Sequence, residues 1–366
     1  MTRSTVAARL PRRQAWPAGT VTSAEASLPD QMARIYGFLK GMHAAHLIDL
    51  GVVVGLFDAL TDLEGAATPD QLAEAAGIHP EYAAIWCEAA CALELLDRLA
   101  DGAYTFAPHM AEILGRPDSN YYLGGFPAAH FQVARDYSRY PELFRSGDVF
   151  TFQAHDQAFL HSVAEGLRTL PRMFLDAVLP KLPQLEQRLE DGAHLLDVGC
   201  GGGYAVVEFA TRYPNVSCVG IDLEPTSIEM AMSLIAAHGL GDRVDARVVD
   251  GSQLPHEFEG AFDLVTQFLV LHEIHPSIKA RVVGQCAAAL RPRGLLVLFD
   301  ERYPSKPEDL RDRLQIYAVM AQWYESTWGN TINTREEIRD LISGAGLSLV
   351  NETQLSRFYI VVAEKP

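Results

Sequence analysis

Asp197-Val-Gly199-Cys-Gly201-Gly-Gly203-Tyr204 is the stretch on which the fold turns. An apolar run over 194–199 precedes it, and a helical segment over 204–213 follows, so the loop joins a short buried strand to a helix. Glycines at such a junction let the backbone turn tightly and come close to a ligand. Two features separate this loop from a dinucleotide site. The spacing is Gly-x-Gly-x-Gly, not Gly-x-Gly-x-x-Gly. An acid, Asp197, also stands ahead of the glycines, where a carboxylate opposes a pyrophosphate and suits an amino group or a cation. A second acid, Asp222, ends the next strand, over 217–222, and can accept both hydroxyls of a ribose. A third, in Asp250-Gly251, ends the strand over 244–249, where it can meet an adenine amino group.

Further along, 262–266 and 295–299 read as two more strands, with helical segments over 225–238 and 277–290 between the strands. Strands alternating with helices predict a parallel, doubly wound sheet of the α/β class. Two strands close in sequence, over 347–351 and 358–363, predict a terminal hairpin that adds an antiparallel edge.

The chain before 190 has a different period. Apolar residues from Gln31 to Leu60 recur at helical spacing. Thr68-Pro69-Asp70-Gln71 is a helix start with the residues of a capping box, and that helix ends near Gly77. A further helix over 80–96 leads to a small hairpin over 97–106, turning at Asp101-Gly102. Three helices and a hairpin make a winged-helix arrangement. The helix that would read DNA holds Glu81, Glu88 and Glu94 and no Lys or Arg, so phosphates would repel it. The module reads instead as a packing and dimerisation domain. Residues 110–185 read as mostly helical and are rich in aromatics, among them Tyr121, Tyr122, Phe126, Phe131, Phe150 and Phe159. Such residues serve either as core or as the lining of a pocket for a planar ligand.

Composition narrows the classes. With 366 residues, 48% hydrophobic and 21% charged, the chain suits two globular domains. Thirty Lys and Arg against forty-seven Asp and Glu give a net charge of -17, which argues against nucleic acids and anionic membranes as partners. Five cysteines, none in a Cys-x-x-Cys pair, read as free thiols of a reducing, cytoplasmic compartment. No run approaches the ~20 apolar residues of a membrane span. Residues 1–29 are expected to form a disordered leader: Arg3, Arg9, Arg12 and Arg13 are followed by no apolar segment, and Pro11, Pro17 and Gly19 break any helix.

The loop and the three strand-end acids resemble the class I S-adenosylmethionine-dependent methyltransferases. The resemblance implies a Rossmann-like, seven-stranded methyltransferase domain over 189–366. It implies S-adenosylmethionine held by Asp197, Gly199, Gly201, Gly203, Asp222, Asp250, Gly251 and Gln267. With a winged-helix-like domain over 30–115 and a helical connector over 116–188, the chain is similar to the small-molecule O-methyltransferases, which are typically homodimers joined through the N-terminal domain. Those enzymes carry Leu-His-Asp-Trp after the fourth strand, with the His as general base; this chain has Leu271-His272-Glu273-Ile274-His275. The resemblance therefore implies His272 as the base, since imidazole titrates near neutrality, with Asp300 or Glu301 after the fifth strand orienting it. Tyr122, Phe126, His275, Trp323 and Trp328 are the expected substrate-pocket residues. The histidines and neighbouring acids offer metal donors, but no metal is expected. The implied reaction is methylation of an oxygen on a small aromatic or polyketide-like metabolite. The rivals are C-methylation of an indole, enol or α-keto acid, which the altered His motif favours, and a regulator that merely binds S-adenosylmethionine.

Overall fold

The computed structural model describes residue 16 and residues 19–366. The expected leader lies mostly outside these described residues. Part of what is described is engaged: Trp16 lies 5.9 Å from the Tyr303 ring, and Thr22 accepts a hydrogen bond from Arg311 Nη1 at 2.6 Å. The chain forms two units. One takes in residues 23–134 and 162–169; the other takes in 135–161 and 170–366 with the described residues up to 22. The stretch 116–188 is therefore divided between the units.

The first unit is mainly helical: Leu28–Val53, Leu56–Asp62, Pro69–Ala76, Pro80–Ala92 and Gly125–Ala134. The run expected as one helical stretch from 31 to 60 is broken at Val54-Gly55, where Gly55 takes φ 74°. Apolar residues continue across the break, so their spacing does not disclose it. The capping box at Thr68 forms as expected: Thr68 Oγ1 accepts from the Gln71 amide, and Gln71 Oε1 accepts from the Thr68 amide at 2.8 Å. A small antiparallel sheet has the order β1-β3-β2, with β1 Ala66–Ala67, β2 Leu96–Arg98 and β3 Tyr104–Phe106. β1 is too short to show an alternating pattern. Leu56, Phe57, Leu60, Leu72, Trp86 and Leu96 build the core. The Trp86 indole N–H is satisfied by the Leu47 carbonyl at 3.0 Å.

The second unit holds a seven-stranded sheet. Its strands are β4 His194–Val198, β5 Ser217–Asp222, β6 Val244–Val248, β7 Phe262–Phe268, β8 Leu290–Glu301, β9 Ser348–Leu355 and β10 Phe358–Glu364. Their order is β6-β5-β4-β7-β8-β10-β9. The first five in sequence run parallel; β10 lies antiparallel between β8 and β9, the expected hairpin. The helices Tyr204–Arg212, Pro225–Ala237, Lys279–Ala289 and Arg335–Gly344 connect them. Leu196, Val265, Leu296, Leu298 and Val361 are buried at the centre, as befits strands covered on both faces. The chain leaves β4 towards β5 and β6 on one side and reaches β7 and β8 on the other. The carboxyl end of β4 is therefore a topological switch point, where such sheets open a crevice. Among the described residues no single helix is long and apolar enough to cross a membrane.

Candidate active site

The glycine loop leaves β4 at this switch point. Gly199 takes φ 77° and Gly203 φ 82°, and a Cβ on either would meet Val270 or Ala231 within 3 Å. Gly201 also has positive φ, but a Cβ there would meet nothing within 4 Å. Its bare backbone borders open space, which is what a loop that admits a ligand requires. The Gly201 amide donates to Asp222 Oδ2, and the Glu224 amide donates to Oδ1, each at 2.9 Å. The strand-end carboxylate is thus fixed by two backbone donors while each oxygen keeps acceptor capacity. Burial raises the Asp222 carboxyl above its ordinary value, against these hydrogen bonds.

Asp197 is buried, and Oδ1 accepts from Thr266 Oγ1 at 2.6 Å. Burial, with Asp222 nearby, pushes its carboxyl up to about 7 despite that hydrogen bond. Asp250 is half-buried and accepts from the Ser252 amide at 2.8 Å. Burial works to raise its carboxyl, but hydrogen bonds from Ser252 and the charge of Arg281 outweigh this and lower it. Gly251 follows directly, and a Cβ there would meet Val198 at 3.1 Å. These residues fit a ligand with a ribose and an amino-bearing base. Gln267 does not join them. Thr266 is in register with Asp197 and shares its face, so the next side chain points to the opposite face. There Gln267 is buried and donates to Cys286 Sγ at 3.7 Å.

The second group of residues follows β7. His272 is buried in a short turn of helix, Leu271–Glu273. Asp300, near the end of β8, accepts from His272 Nδ1 at 2.6 Å and from the His272 amide at 3.1 Å. One carboxylate thus fixes both the backbone and the ring and leaves Nε2 unclaimed by Asp300. Burial alone would lower the imidazole; Asp300 outweighs it, and the ring is raised to about 10. Glu301, the alternative partner, points to the other face of β8 and pairs with Arg357 at 3.3 Å. The structure also brings in an acid the sequence reading passed over. Glu325, at the end of the helix Ile316–Glu325, places Oε1 3.9 Å from His272 Nε2. Burial raises the carboxyls of both Glu273 and Glu325; His272 opposes the rise, and neighbouring acids add to it. The available signal was an acid set among Trp323, Tyr324 and Trp328.

The remaining expected pocket residues make contacts of their own. After Glu273 the backbone turns extended, so His275 leaves the face that carries His272 and bonds Ser277 through Nδ1 at 2.8 Å. Trp328 is core: its indole N–H donates to Asp136 at 3.3 Å, and Phe152, His155 and Phe159 pack around it. His155 itself is held between Asp136 at 2.8 Å and the Phe152 carbonyl at 2.7 Å. Trp323 is 41% exposed and lies against Tyr137 and Tyr140. Tyr122 and Phe126 belong to the helical unit. Tyr122 is buried there, with the Arg168 guanidinium 5.8 Å from its ring centre, and Phe126 lies beside His130.

Residues 195–294 match the model of a methyltransferase domain. Ajmaline N-methyltransferase from Rauvolfia serpentina is 34% identical over 167 residues, 43% of this chain and 54% of that protein. The chain spans about half the length of the curated relatives it matches. Among solved structures, an O-methyltransferase family protein from Burkholderia thailandensis superposes with a TM-score of 0.69 at 21% identity, covering 93% of this chain and 99% of that one. Human N-acetylserotonin methyltransferase, solved in complex with S-adenosylmethionine, gives 0.70 at 14% identity, covering 94% and 99%. At these identities the likeness is one of fold, and it runs through both units.

Proposed function

We propose that this chain, which carries a methyltransferase domain on the S-adenosylmethionine-dependent O-methyltransferase fold, methylates a hydroxyl of a small aromatic or polyketide-like molecule. The observation that supports this best is the His272–Asp300 pair at a strand end of the same crevice as the glycine loop. Asp222 would hold the ribose, Asp250 the adenine side, and Gly201 would let the backbone approach. When bound, S-adenosylmethionine supplies a methyl group made electrophilic by its sulfonium.

The chain's own residues do the rest. His272 Nε2, in the neutral form of the ring, takes the proton of the acceptor hydroxyl, a role usually worth about 10²–10⁴-fold in rate; because Asp300 raises the ring to about 10, the neutral fraction and with it the rate rise with pH. Asp300 holds the ring in one orientation and balances the charge that the proton brings. Alignment of acceptor and donor supplies a further share of the rate. Calorimetric titration with S-adenosylmethionine tests the cofactor reading: binding below millimolar is expected, and none up to that range overturns it. Carbon NMR of the product tests the acceptor atom, since O-methyl and C-methyl carbons have well-separated shifts; a C-methyl product overturns O-methylation.

We further infer that the protein is a homodimer through its helical unit. On the helix Leu28–Val53, Leu28, Met32, Ile35, Tyr36, Phe38, Leu39 and Met42 are all exposed. A contiguous apolar face of this kind marks an interaction surface, and a second copy of the chain would cover it.

A further inference from the structure

Lys279 opens the helix Lys279–Ala289 and is only 3% exposed. Lysines are rarely buried, and burying one is costly unless its ammonium is well bonded. Here Nζ donates to the Thr331 carbonyl and to Asn333 Oδ1 at 2.6 Å, with Thr331 Oγ1 at 3.4 Å. A methionine would fill much the same space without the cost of a buried charge. What the ammonium adds is direction: its bonds run to one loop, over 329–333. That loop is also held from the helix Ile316–Glu325. Gln322 Nε2 donates to the Asn330 carbonyl at 3.2 Å, and Gln322 Oε1 accepts from the Ile332 amide at 2.8 Å. Asn330 Nδ2 donates to Glu325 Oε2 at 3.1 Å. The other oxygen of that carboxylate lies 3.9 Å from His272 Nε2. Lys279 itself follows the turn Leu271–Glu273 in the chain. It therefore joins the segment that carries His272 to the loop that bonds Glu325.

We propose that Lys279 is a positioning residue for the base: its bonds to Thr331 and Asn333 tie the two segments together and so keep the Glu325 carboxylate against the His272 ring. The tie and its effect on the ring are independent of the methyl-transfer reading; its use in catalysis rests on that reading. Among the described residues, the charged groups that face the ring are Asp300 from β8, Glu325 from the helix Ile316–Glu325 and Glu273 from the ring's own turn. Each is an acid and favours the protonated ring. Lys279 acts on the ring in two opposite ways. Its own positive charge opposes protonation. Its hold on the loop keeps Glu325 close, which favours protonation. Removing the ammonium therefore raises the ring's titration midpoint if charge dominates and lowers it if positioning dominates. The proposal is the second. A carboxylate held at Nε2 steadies the charge that the ring takes up with the acceptor's proton.

The test reads the ring directly, by carbon NMR of the full-length protein labelled at its histidine rings, with His272→Ala identifying the signal. Wild type is expected to titrate well above neutrality. Lys279→Met is expected to lower the midpoint by about one pH unit, as Glu325→Gln does. The double variant is expected to fall no further than Glu325→Gln alone. Asn333→Ala removes one acceptor of the ammonium; it moves the midpoint the same way and carries the test if Lys279→Met does not fold. Lys306→Met, which removes an exposed lysine elsewhere in the unit, leaves the midpoint unchanged. Circular dichroism sets aside any misfolded variant. A second arm follows the pH dependence of methyl transfer, whose midpoint is expected to move with that of the ring. A midpoint unchanged in Lys279→Met, with only rate or stability lost, shows a packing role and overturns the proposal. A midpoint that rises shows that the lysine acts by its own charge and also overturns it. So does a Glu325→Gln ring that titrates like wild type. The expected NMR shifts in a protein that binds no S-adenosylmethionine support the tie and overturn the methyltransferase reading instead.

Discussion

Asp222 shows how much one side chain can decide. Its two oxygens take amides from Gly201 and Glu224 and so tie the glycine loop to the end of β5. Asp222→Ala should therefore lose the ribose contact and loosen the loop together. Hydrogen bonds to a charged group contribute about 1.5–3 kcal/mol, so calorimetry should show S-adenosylmethionine affinity reduced by about 10–100-fold, with the sheet still folded by circular dichroism. Unchanged affinity would place the ribose elsewhere. The residues legible in the sequence were of this kind: acids at strand ends beside a glycine loop, whose positions follow from strand boundaries alone. Gln267 and Glu301 were not legible in the same way. Each is one residue from a side chain, Thr266 or Asp300, that reaches Asp197 or His272, and the alternation of a strand sends it to the other face. Which face is inward depends on register with the next strand, and that is a property of the sheet. Glu325 reaches His272 from a helix more than fifty residues later in the chain, a pairing no spacing rule connects.

At the scale of elements, the terminal hairpin is held to the last helix by Glu352. Arg335 Nη2 donates to Glu352 Oε2 at 2.6 Å and Arg339 Nη2 at 2.5 Å, and the Tyr359 hydroxyl bonds the same carboxylate. Arg339 above all, then Arg335 and Tyr359, hold this carboxyl well below the usual range, outweighing its burial. The folded value is depressed, so the stabilisation is complete above the unfolded value of about 4.3 and fades as pH falls through the folded value. Thermal unfolding of wild type and Glu352→Gln should differ most at pH 7, and the gap should begin to narrow only as pH falls below about 4.3. A gap that stays constant would show that the carboxylate charge contributes nothing. The hairpin and the five parallel strands were readable because apolar runs bounded by turns specify buried strands. The break at Gly55 and the two-residue strand β1 were not readable, since neither interrupts the apolar period.

For the whole molecule, the sequence told apart a helical first half and an α/β second half. It did not tell where the two units exchange chain: residues 162–169 belong with the first unit although 135–161 belong with the second. That division follows from tertiary packing, to which composition is blind. The exposed face of the helix Leu28–Val53 carries the prediction at this scale. Phe38 is 66% exposed, and Phe38→Glu should convert a dimer to a monomer in sedimentation velocity while leaving the monomer folded. A wild type that sediments as a monomer at micromolar concentration would contradict the proposed dimer.

The claim on which everything else depends is that an acceptor is activated at His272, beside a bound methyl donor. Methyl-labelled S-adenosylmethionine, offered with a panel of phenols, catechols and 2-oxo acids to wild type and to His272→Ala, tests it most directly. The account predicts label on an acceptor oxygen with wild type, and a rate lower by about 10²-fold or more in the variant, with S-adenosylmethionine affinity unchanged. A variant that transfers the label at the wild-type rate would contradict it.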